Sequence, residues 1–315
     1  MAKAIYTQTI IAMVWDFDRT LIPGYSQAPL FEEYEVNEAD FWAEVNSLKS
    51  LYGERSIRVG EDTAYLLHML TYVREGRFGG LTNAKLRELG SRIEMCPGIP
   101  HFLGEVREIV SNDERFSKHE IKLEHYVVST GIRPLIEGSA VGPEVDDIWA
   151  NEFVDQPPAP NFLSDGHKFD EHDGEIEQIG YMIDNTSKTR AIFEINKGPN
   201  VSVNARVPEE ERRVPIRNMI YIADGPSDVP VFSVVGKHGG RCLGVYQSAV
   251  GKSNFEGVKQ LADDGRVNSI APADFSPGTP AHLWLTTTVR EVASRICDER
   301  DRFFGTIKAP AGHIT

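Results

Sequence analysis

The sequence predicts an α/β protein in which helices cover both faces of a parallel β-sheet and one all-helical segment is inserted into the chain. Short apolar runs, each followed by polar or glycine-containing sequence, alternate with helical patterns, as in parallel sheets that are buried on both faces. One stretch, from about residue 25 to residue 95, has helical spacing without a convincing strand. The 315 residues are enough for a core plus a smaller domain.

The first predicted strand is the apolar, β-branched run from Thr9 to Trp15. Three later apolar runs are also predicted strands, at residues 126–128, 219–222 and 242–246. Helical patterns lie between and after them, at residues 99–110, 188–195 and 283–297. Two further stretches, 156–180 and 198–217, are irregular; we expect surface excursions there, the first with a β-hairpin. Beyond Phe304 we expect a frayed tail.

The helical segment has its own start and stop signals. Asn37 can cap a helix that runs to about Tyr52, and Thr82 can cap another that ends near Gly90. Between these two, apolar residues follow helical spacing from Tyr65 to Val73. We therefore predict two units: a core formed by residues 1–24 and 96–315, and an inserted helical unit formed by residues 25–95. Pro-Gly pairs bracket the insertion at residues 23–24 and 97–98, where we expect hinges.

Composition narrows the class of partner. The net charge is −14 and the pI is about 5.1, so nucleic acid and anionic membranes are not expected partners. The three cysteines show no metal-ligand spacing, and we expect reduced thiols in a cytoplasmic protein. The apolar run at residues 10–15 is too short to span a bilayer. A homo-oligomer is allowed but not indicated.

The strongest chemical signal is Asp16-Phe17-Asp18-Arg19-Thr20, directly after the first predicted strand. In a parallel sheet the carboxyl ends of the strands line the active-site crevice. Two carboxylates spaced by two residues leave the strand on the same side and repel each other unless a cation or proton intervenes. A Mg²⁺ ion meets that need, because it prefers oxygen ligands. A simple turn after a strand is the alternative.

A second acidic strand end occurs in Tyr221-Ile222-Ala223-Asp224-Gly225-Pro226-Ser227-Asp228. Asp224 would lie at the strand tip, with Asp228 just beyond a Gly-Pro turn. A solvated turn is the plainer interpretation of this segment alone. Two acidic strand ends in one sheet favour metal binding.

Two further segments have the chemistry to hold an anion. Ser129-Thr130-Gly131 follows a predicted strand, where a hydroxyl and free backbone N–H groups can bind phosphate. Lys188 would lie in the first turn of a helix capped by Thr186 or Ser187. A cation there opposes the helix dipole, and a nearby phosphate would remove that cost. Taken alone, the first segment is more simply explained as an ordinary turn and the second as a surface lysine.

Taken in their order along the chain, these four segments together resemble the haloacid dehalogenase-like (HAD) hydrolase superfamily, and its phosphoserine-phosphatase-like branch most closely. The resemblance covers residues 10–24 and 96 to about 246. It implies a Rossmann-like parallel sheet core with an inserted all-helical C1 cap. It also implies a Mg²⁺-dependent phosphatase that hydrolyses a small phosphorylated metabolite through an aspartyl-phosphate.

The resemblance also implies a role for each matched residue. Asp16 would be the nucleophile, and Asp18 the general acid and base, oriented by Thr20. Phosphate contacts would come from Thr20, Ser129, Thr130 and Lys188. The metal would be held by Asp16, Asp224 and the Asp18 backbone carbonyl, with Asp228 supporting it. An unperturbed Asp has a pKa of about 3.9, so protonating Asp18 at pH 7 would cost roughly 4 kcal/mol unless its surroundings raise that pKa.

Some residues depart from the family pattern. Arg19 replaces a residue that is more often small or apolar, and Ala223 replaces a usual glycine. The glutamate that binds the amine in phosphoserine enzymes has only Glu32 and Glu33 as late candidates, which puts phosphoserine itself in doubt. Cap residues that could contact substrate are Tyr25, Phe41, Trp42, Arg55 and Arg58, although the aromatic pair is more simply explained as cap core.

Two alternatives stay open. One is a phosphotransferase or mutase that passes the same aspartyl-phosphate to a hydroxyl group. The other is a catalytically silent binding protein that keeps the fold.

Overall fold

The computed structural model describes residues 8–166, 168–248 and 254–307. Within these residues the strands are β1 (Ile10–Trp15), β2 (Lys122–Ile132), β3 (Asp147–Val154), β4 (Gln178–Tyr181), β5 (Met219–Ala223), β6 (Arg241–Tyr246) and β7 (Ser269–Pro272). The helices are α1 (Ala28–Glu33), α2 (Glu38–Gly53), α3 (Glu61–Arg74), α4 (Asn83–Gly90), α5 (His101–Ser111), α6 (Glu114–Lys118), α7 (Arg133–Gly138), α8 (Phe162–Asp165), α9 (Lys188–Lys197), α10 (Val229–Lys237), α11 (Phe255–Asp263) and α12 (Pro280–Ile307). The predicted α/β class is confirmed.

All seven strands form one sheet in the order β4-β3-β2-β1-β5-β6-β7. Every neighbouring pair is parallel except β3 and β4, which are antiparallel. β1 lies at the centre, and its last residue, Trp15, pairs with Val127 of β2 and Ile222 of β5. This register brings the carboxyl ends of β1 and β5 level with Val127, two residues before Ser129 of β2, and this edge is where a site in an open α/β sheet is expected.

β1 is apolar throughout because both of its faces are buried. Ile11, Met13 and Trp15 pack on one side, in a cluster that includes residues of α5 and α12. Ala12 and Val14 pack on the other side, in a cluster that includes residues of α9 and α10. The continuous apolar run therefore reflects burial on both faces of a parallel sheet.

The inserted stretch is helical. It contains α1 to α4 and, among its residues, no strand beyond one isolated bridge from Thr82 to Glu175. Two predicted caps are confirmed: the Asn37 side chain accepts a hydrogen bond from Asp40 N, and the Thr82 side chain accepts one from Lys85 N. The boundaries at residues 24/25 and 95/96 remain predictions.

The insertion is packed firmly on the core where α4 crosses α7. A Cβ atom built on Gly138 would lie 1.8 Å from Arg87 O, and one built on Gly90 would lie 2.2 Å from Leu135 O. Both distances are far below van der Waals contact, so the two helix backbones touch because neither glycine carries a side chain. The apolar core of the insertion also includes Ile132 and Phe153 from the sheet.

Other expectations are corrected in detail. The stretch 156–180 contains α8 and most of β4, and β4 pairs with β3 outside that stretch rather than forming a hairpin within it. The stretch 198–217 has only short 3₁₀ turns among its described residues. α12 continues past Phe304 to Ile307, and the remaining tail lies outside the described residues. No helix in the described ranges is both long and apolar enough to cross a bilayer.

Candidate active site

The predicted site residues converge at the carboxyl edge of β1, β2 and β5. Asp16 follows β1, and its backbone N–H donates to Ile222 O at 2.9 Å, which continues the sheet one residue beyond the strand. Ser129 lies near the end of β2, and Asp224 directly follows β5. The parallel register therefore brings three of the four predicted segments together, and Lys188 joins them from the start of α9.

Lys188 is the central cation of the site. Its Nζ lies 2.8 Å from Asp16 Oδ1 and 2.7 Å from Asp228 Oδ1, and its side chain is only 1% exposed. Burial alone would lower the pKa of Lys188, but the Asp16 and Asp228 carboxylates outweigh burial and hold that pKa above its usual value. Lys188 is thus a fixed positive charge between two acids and not a surface lysine.

The start of α9 is built differently from the expectation. Neither Thr186 nor Ser187 caps the helix through its side chain; instead, Asp184 Oδ1 accepts from the backbone N–H groups of both. The Lys188 N–H donates to Asp184 O at 3.0 Å. This turn fixes the position of Lys188 at the beginning of the helix.

Three carboxylates form a cluster suited to a metal ion. Asp16, Asp224 and Asp228 can each offer one oxygen, and these oxygens lie within 4.8 Å of one another. Burial raises the pKa of Asp224 to about 7, with a further rise from Asp228 and an opposing effect from Arg19. Buried, mutually repelling carboxylates of this kind fit a hard divalent cation such as Mg²⁺. The Asp18 side chain is outside this cluster, and the role of its backbone carbonyl stays a prediction.

Asp228 is held from several sides. Its Oδ1 accepts from Lys188 Nζ and from the Tyr221 hydroxyl, and its Oδ2 accepts from Ser227 Oγ at 2.8 Å. Asp228 is fully buried. Tyr221 looks like an ordinary apolar residue of a strand, and its sequence position gave no sign of this contact.

Asp18 has the environment of a group that takes up a proton. Ser26 N donates to Asp18 Oδ1 at 2.8 Å. Burial raises the pKa of Asp18 to about 6, despite the opposing effects of Ser26 and Lys188. At pH 7 the cost of protonating Asp18 then falls to about 1.4 kcal/mol, because one pKa unit corresponds to that amount.

Thr20 is placed differently from the expectation. Its hydroxyl donates to Asp16 Oδ2 at 3.3 Å, and not to Asp18. Thr20 is fully buried, and its hydroxyl helps to hold the Asp16 carboxylate in place. The Asp18 carboxylate is oriented instead by the backbone of Ser26.

The segment Ser129–Gly131 lies beside Asp18. Ser129 Oγ accepts from Gly131 N at 2.9 Å. A Cβ atom on Gly131 would lie 3.1 Å from Ser129 Oγ, 3.0 Å from Ser26 Oγ and 3.6 Å from Asp18 Oδ2. Glycine therefore leaves a gap between two hydroxyl groups and the Asp18 carboxylate.

A ring of polar contacts supports Asp224. Arg19 Nε lies 3.4 Å from Asp224 Oδ2, and Asn254 Nδ2 donates to the same oxygen at 2.9 Å. Asn254 Oδ1 accepts from Gln247 N, and Gln247 Nε2 donates to Arg19 O at 2.9 Å. Arg19 has a left-handed backbone, with φ of 59°, which is uncommon for a residue other than glycine. Arg19, which departs from the residue type usual at this position, therefore contacts the acidic cluster through Asp224.

The proposed substrate contacts in the insertion have other partners. Glu32 and Glu33 both contact Arg92, and Glu33 also contacts Lys85. These ion pairs are among partly exposed side chains of the insertion, and hydrogen bonds from Lys85 and Arg92 lower the pKa of Glu33.

The aromatic pair of the insertion supports its packing. Phe41 is buried in the core of the insertion, and Trp42 packs on it, which matches the plainer of the two interpretations. Tyr25, Arg55 and Arg58 are exposed.

Comparison with known proteins identifies the family. No family model matches the chain. An uncharacterized protein from Borreliella burgdorferi is 39% identical over 282 residues, which cover 88% of this chain and 96% of that protein. The chain belongs to the same family as that protein.

Solved structures identify the fold. A probable phosphoserine phosphatase from Vibrio cholerae superposes with a TM-score of 0.51 at 12% identity, over 92% of this chain and 67% of that one. A HAD family hydrolase from Salmonella enterica serovar Typhi gives a TM-score of 0.47 at 12% identity, over 74% of this chain and 62% of that one. The first of these superpositions shows that this chain shares its fold with that protein, which agrees with the α/β fold that the sequence motifs indicated.

Proposed function

We propose that this protein is a Mg²⁺-dependent phosphohydrolase that cleaves small phosphomonoesters through a covalent phosphate on Asp16. The observation that carries the proposal is the arrangement of Asp16, which pairs with the buried Lys188, belongs to a cluster of three carboxylates and has Asp18 two residues away. A nucleophilic carboxylate, a proton donor and two sources of positive charge are what phosphoryl transfer needs.

The first step would transfer the phosphoryl group to the protein. An Asp16 carboxylate oxygen would form a bond to phosphorus while the bond from phosphorus to the leaving oxygen breaks. Asp18, whose pKa of about 6 keeps a usable protonated fraction near neutrality, would give its proton to that oxygen. Lys188 would offset the charge of the phosphoryl oxygens.

The second step would release phosphate. Asp18, now ionised, would take a proton from water as the water oxygen attacks phosphorus. The bond from phosphorus to Asp16 would break, and inorganic phosphate and the Asp16 carboxylate would result. A Mg²⁺ ion held by Asp16, Asp224 and Asp228 would supply additional charge neutralisation at the phosphoryl group.

The ion pairs of the insertion bear on which phosphomonoester is the substrate. Because Glu32 and Glu33 already pair with Arg92 and Lys85, they support no amine-binding role, and we do not assign phosphoserine. The neighbour in fold from Vibrio cholerae is described as a probable phosphoserine phosphatase, which supports the reaction class of phosphomonoester hydrolysis.

The test is phosphate release from p-nitrophenyl phosphate and from a panel of phosphorylated metabolites, with Mg²⁺ and with EDTA. We expect turnover that requires Mg²⁺ and is lost in Asp16→Asn. The matched control is Asp173→Asn, the same substitution at an exposed position, which should keep wild-type activity. Absence of turnover on the whole panel, with no acid-stable phosphorylated protein trapped, would leave the proposal without support.

A further inference from the structure

A buried polar contact joins the helical insertion to the turn that we propose binds phosphate. Tyr65 of α3 and Asn151 of β3 are both buried. The Tyr65 hydroxyl donates to Thr130 O at 2.5 Å. The Asn151 side-chain nitrogen donates to the same carbonyl at 2.5 Å and to the Tyr65 hydroxyl at 2.8 Å. One backbone carbonyl is therefore fixed by two side chains from different parts of the chain.

Regular sheet pairing does not hold this carbonyl. β2 and β3 pair in register from Tyr126 to Val128, and then the register shifts before Ile132 pairs with Asn151. The residues between, 129–131, are the ones that carry the Ser129 hydroxyl and the Gly131 N–H. Thr130 is half-buried, and a backbone carbonyl withdrawn from water needs a partner. Here the partners are the Tyr65 and Asn151 side chains.

Asn151 also reaches the segment that leads to Lys188. Its Oδ1 accepts from Ile183 N at 2.8 Å. Ile183 directly precedes Asp184, which forms the turn at the start of α9. The Asn151 amide therefore contacts the Thr130 carbonyl on one side and the Lys188-bearing segment on the other.

Burial makes the Tyr65 hydroxyl a permanent donor. Its pKa lies far above its usual range because of burial, so the hydroxyl keeps its proton at any pH at which the protein is studied. Thr130 O can accept from it, and Asn151 Nδ2 can donate to it, without conflict.

We infer that Tyr65 and Asn151 are positioning residues that set the Ser129–Gly131 turn and couple its shape to the docking of the helical insertion. The inference rests on the proposed function, in which this turn contacts the phosphoryl group. Neither residue touches that group. Their effect is on the orientation of the Ser129 hydroxyl and the Gly131 N–H, which depend on where the Thr130 peptide lies.

The test compares Tyr65→Phe with Tyr72→Phe in the full-length protein. Both substitutions remove one hydroxyl, and Tyr72 donates to Glu44 at 2.7 Å within the insertion, so it is a matched control. The first readout is hydrogen–deuterium exchange of peptides that cover residues 127–133. The second is the affinity for orthovanadate, and the third is kcat and KM for the best phosphomonoester.

In Tyr65→Phe we expect faster exchange in this segment and vanadate affinity reduced by about five- to tenfold, the effect of losing one hydrogen bond. KM should rise or kcat should fall by a similar factor. Tyr72→Phe should match the wild type in all three readouts. Asn151→Asp keeps the side-chain shape but replaces the donor with an oxygen, and it should accelerate exchange in the same peptides.

The outcomes separate this inference from the proposed function. If exchange is faster in Tyr65→Phe but the wild type shows no turnover, the positioning role is supported and the proposed phosphatase activity is refuted. If the wild type is active and Tyr65→Phe keeps wild-type exchange and vanadate affinity, the positioning role is wrong and the proposed phosphatase activity stands.

Discussion

Replacement of Lys188 by methionine tests the charge balance of the site most directly. Methionine keeps much of the apolar length of lysine and removes the charge. In the structure, Lys188 Nζ is within hydrogen-bonding distance of Asp16 and Asp228, and all three side chains are at least nine-tenths buried. The variant would leave two buried carboxylates without this cation.

The expected loss is large because the charges are buried. Removing one partner of a buried ion pair typically costs about 3–5 kcal/mol. The carboxylates can reduce that loss by taking up a proton, since burial already raises the pKa of Asp16. A carboxyl whose folded pKa exceeds its unfolded pKa binds more protons when folded, so its cost grows as pH rises. The loss in Lys188→Met should therefore be greater at about pH 8 than at about pH 5.

The assay is urea unfolding of wild type and Lys188→Met, in EDTA and in Mg²⁺, at both pH values. In Mg²⁺ the variant should recover part of its stability, because a cation that binds only the folded carboxylates stabilises the folded state. Lys259→Met is the matched control. Lys259 is an exposed lysine that pairs with Asp263 one helical turn away, and such pairs contribute about 0.3–0.5 kcal/mol. If Lys188→Met lost no more stability than Lys259→Met in EDTA, the account of the site as a balanced charge cluster would be wrong.

Three further predictions concern His125, Arg19 and Gly138. Burial, with a contribution from Arg107, lowers the pKa of His125 to about 3. As the pH falls, the unfolded state therefore binds a proton at this residue before the folded state does, and below about pH 6.5 the unfolding free energy should fall by up to about 1.4 kcal/mol per pH unit. His125→Asn should reduce that slope in urea titrations. Arg19→Gly removes a positive charge beside the metal cluster and should tighten Mg²⁺ binding roughly tenfold by calorimetry. Gly138→Ala forces a Cβ into the α4 backbone and should cost about 3 kcal/mol in thermal unfolding, whereas Gly104→Ala, in open space in α5, should stabilise by about 0.5–1 kcal/mol.

Arg19→Gly changes both a charge and a left-handed backbone position, so a control variant must separate the two effects. Arg19 and Ser56 both have a left-handed backbone with φ of 59°, and glycine relieves that strain at either position. Ser56→Gly, in an exposed connection between α2 and α3, should therefore stabilise the protein without changing Mg²⁺ affinity. Unchanged affinity in Arg19→Gly would show that the guanidinium does not act on the metal cluster.

The sequence predicted the ends of β1, β5 and β6 to within one residue because the relevant signals are local, whereas β2 runs four residues past its predicted end and β3 and β7 were not predicted. A buried strand in a parallel sheet is a continuous apolar run, and Asp16 and Asp224 each mark where such a run ends. The helix caps at Asn37 and Thr82 were predictable for the same reason. The fold class follows from the alternation of such runs with helical patterns.

The contacts between distant segments could not be read from the sequence. Tyr65 has the spacing of an apolar face of a helix, and Asn151 lies in an ordinary strand; their shared contact with Thr130 depends on the register of β2 and β3. From the sequence, the Thr20 hydroxyl could contact either Asp16 or Asp18. Only the geometry of the turn shows that it donates to Asp16.

The segment at residues 96–98, where the insertion ends, shows how a local sequence motif can mislead. A Cys-Pro-Gly sequence suggests a hinge, yet Cys96 N donates to Leu21 O at 2.8 Å and Phe275 N donates to Pro97 O at 2.7 Å. A Cβ on Gly98 would lie 2.3 Å from the Phe275 backbone, and Gly98 has φ of 87°. The glycine is needed for close packing in a left-handed conformation, and this end of the insertion is attached to the core.

Two of the contacts between the insertion and the core differ in strength. At α4 and α7 the backbones touch through Gly90 and Gly138, so sliding there would create clashes. At α3 the Tyr65 hydroxyl reaches the Thr130 carbonyl, a contact worth on the order of 1 kcal/mol. The contact at Thr130 is one hydrogen bond and the contact at α4 and α7 is steric, so a change that loosens α3 would weaken the proposed phosphate turn without disturbing the helix crossing.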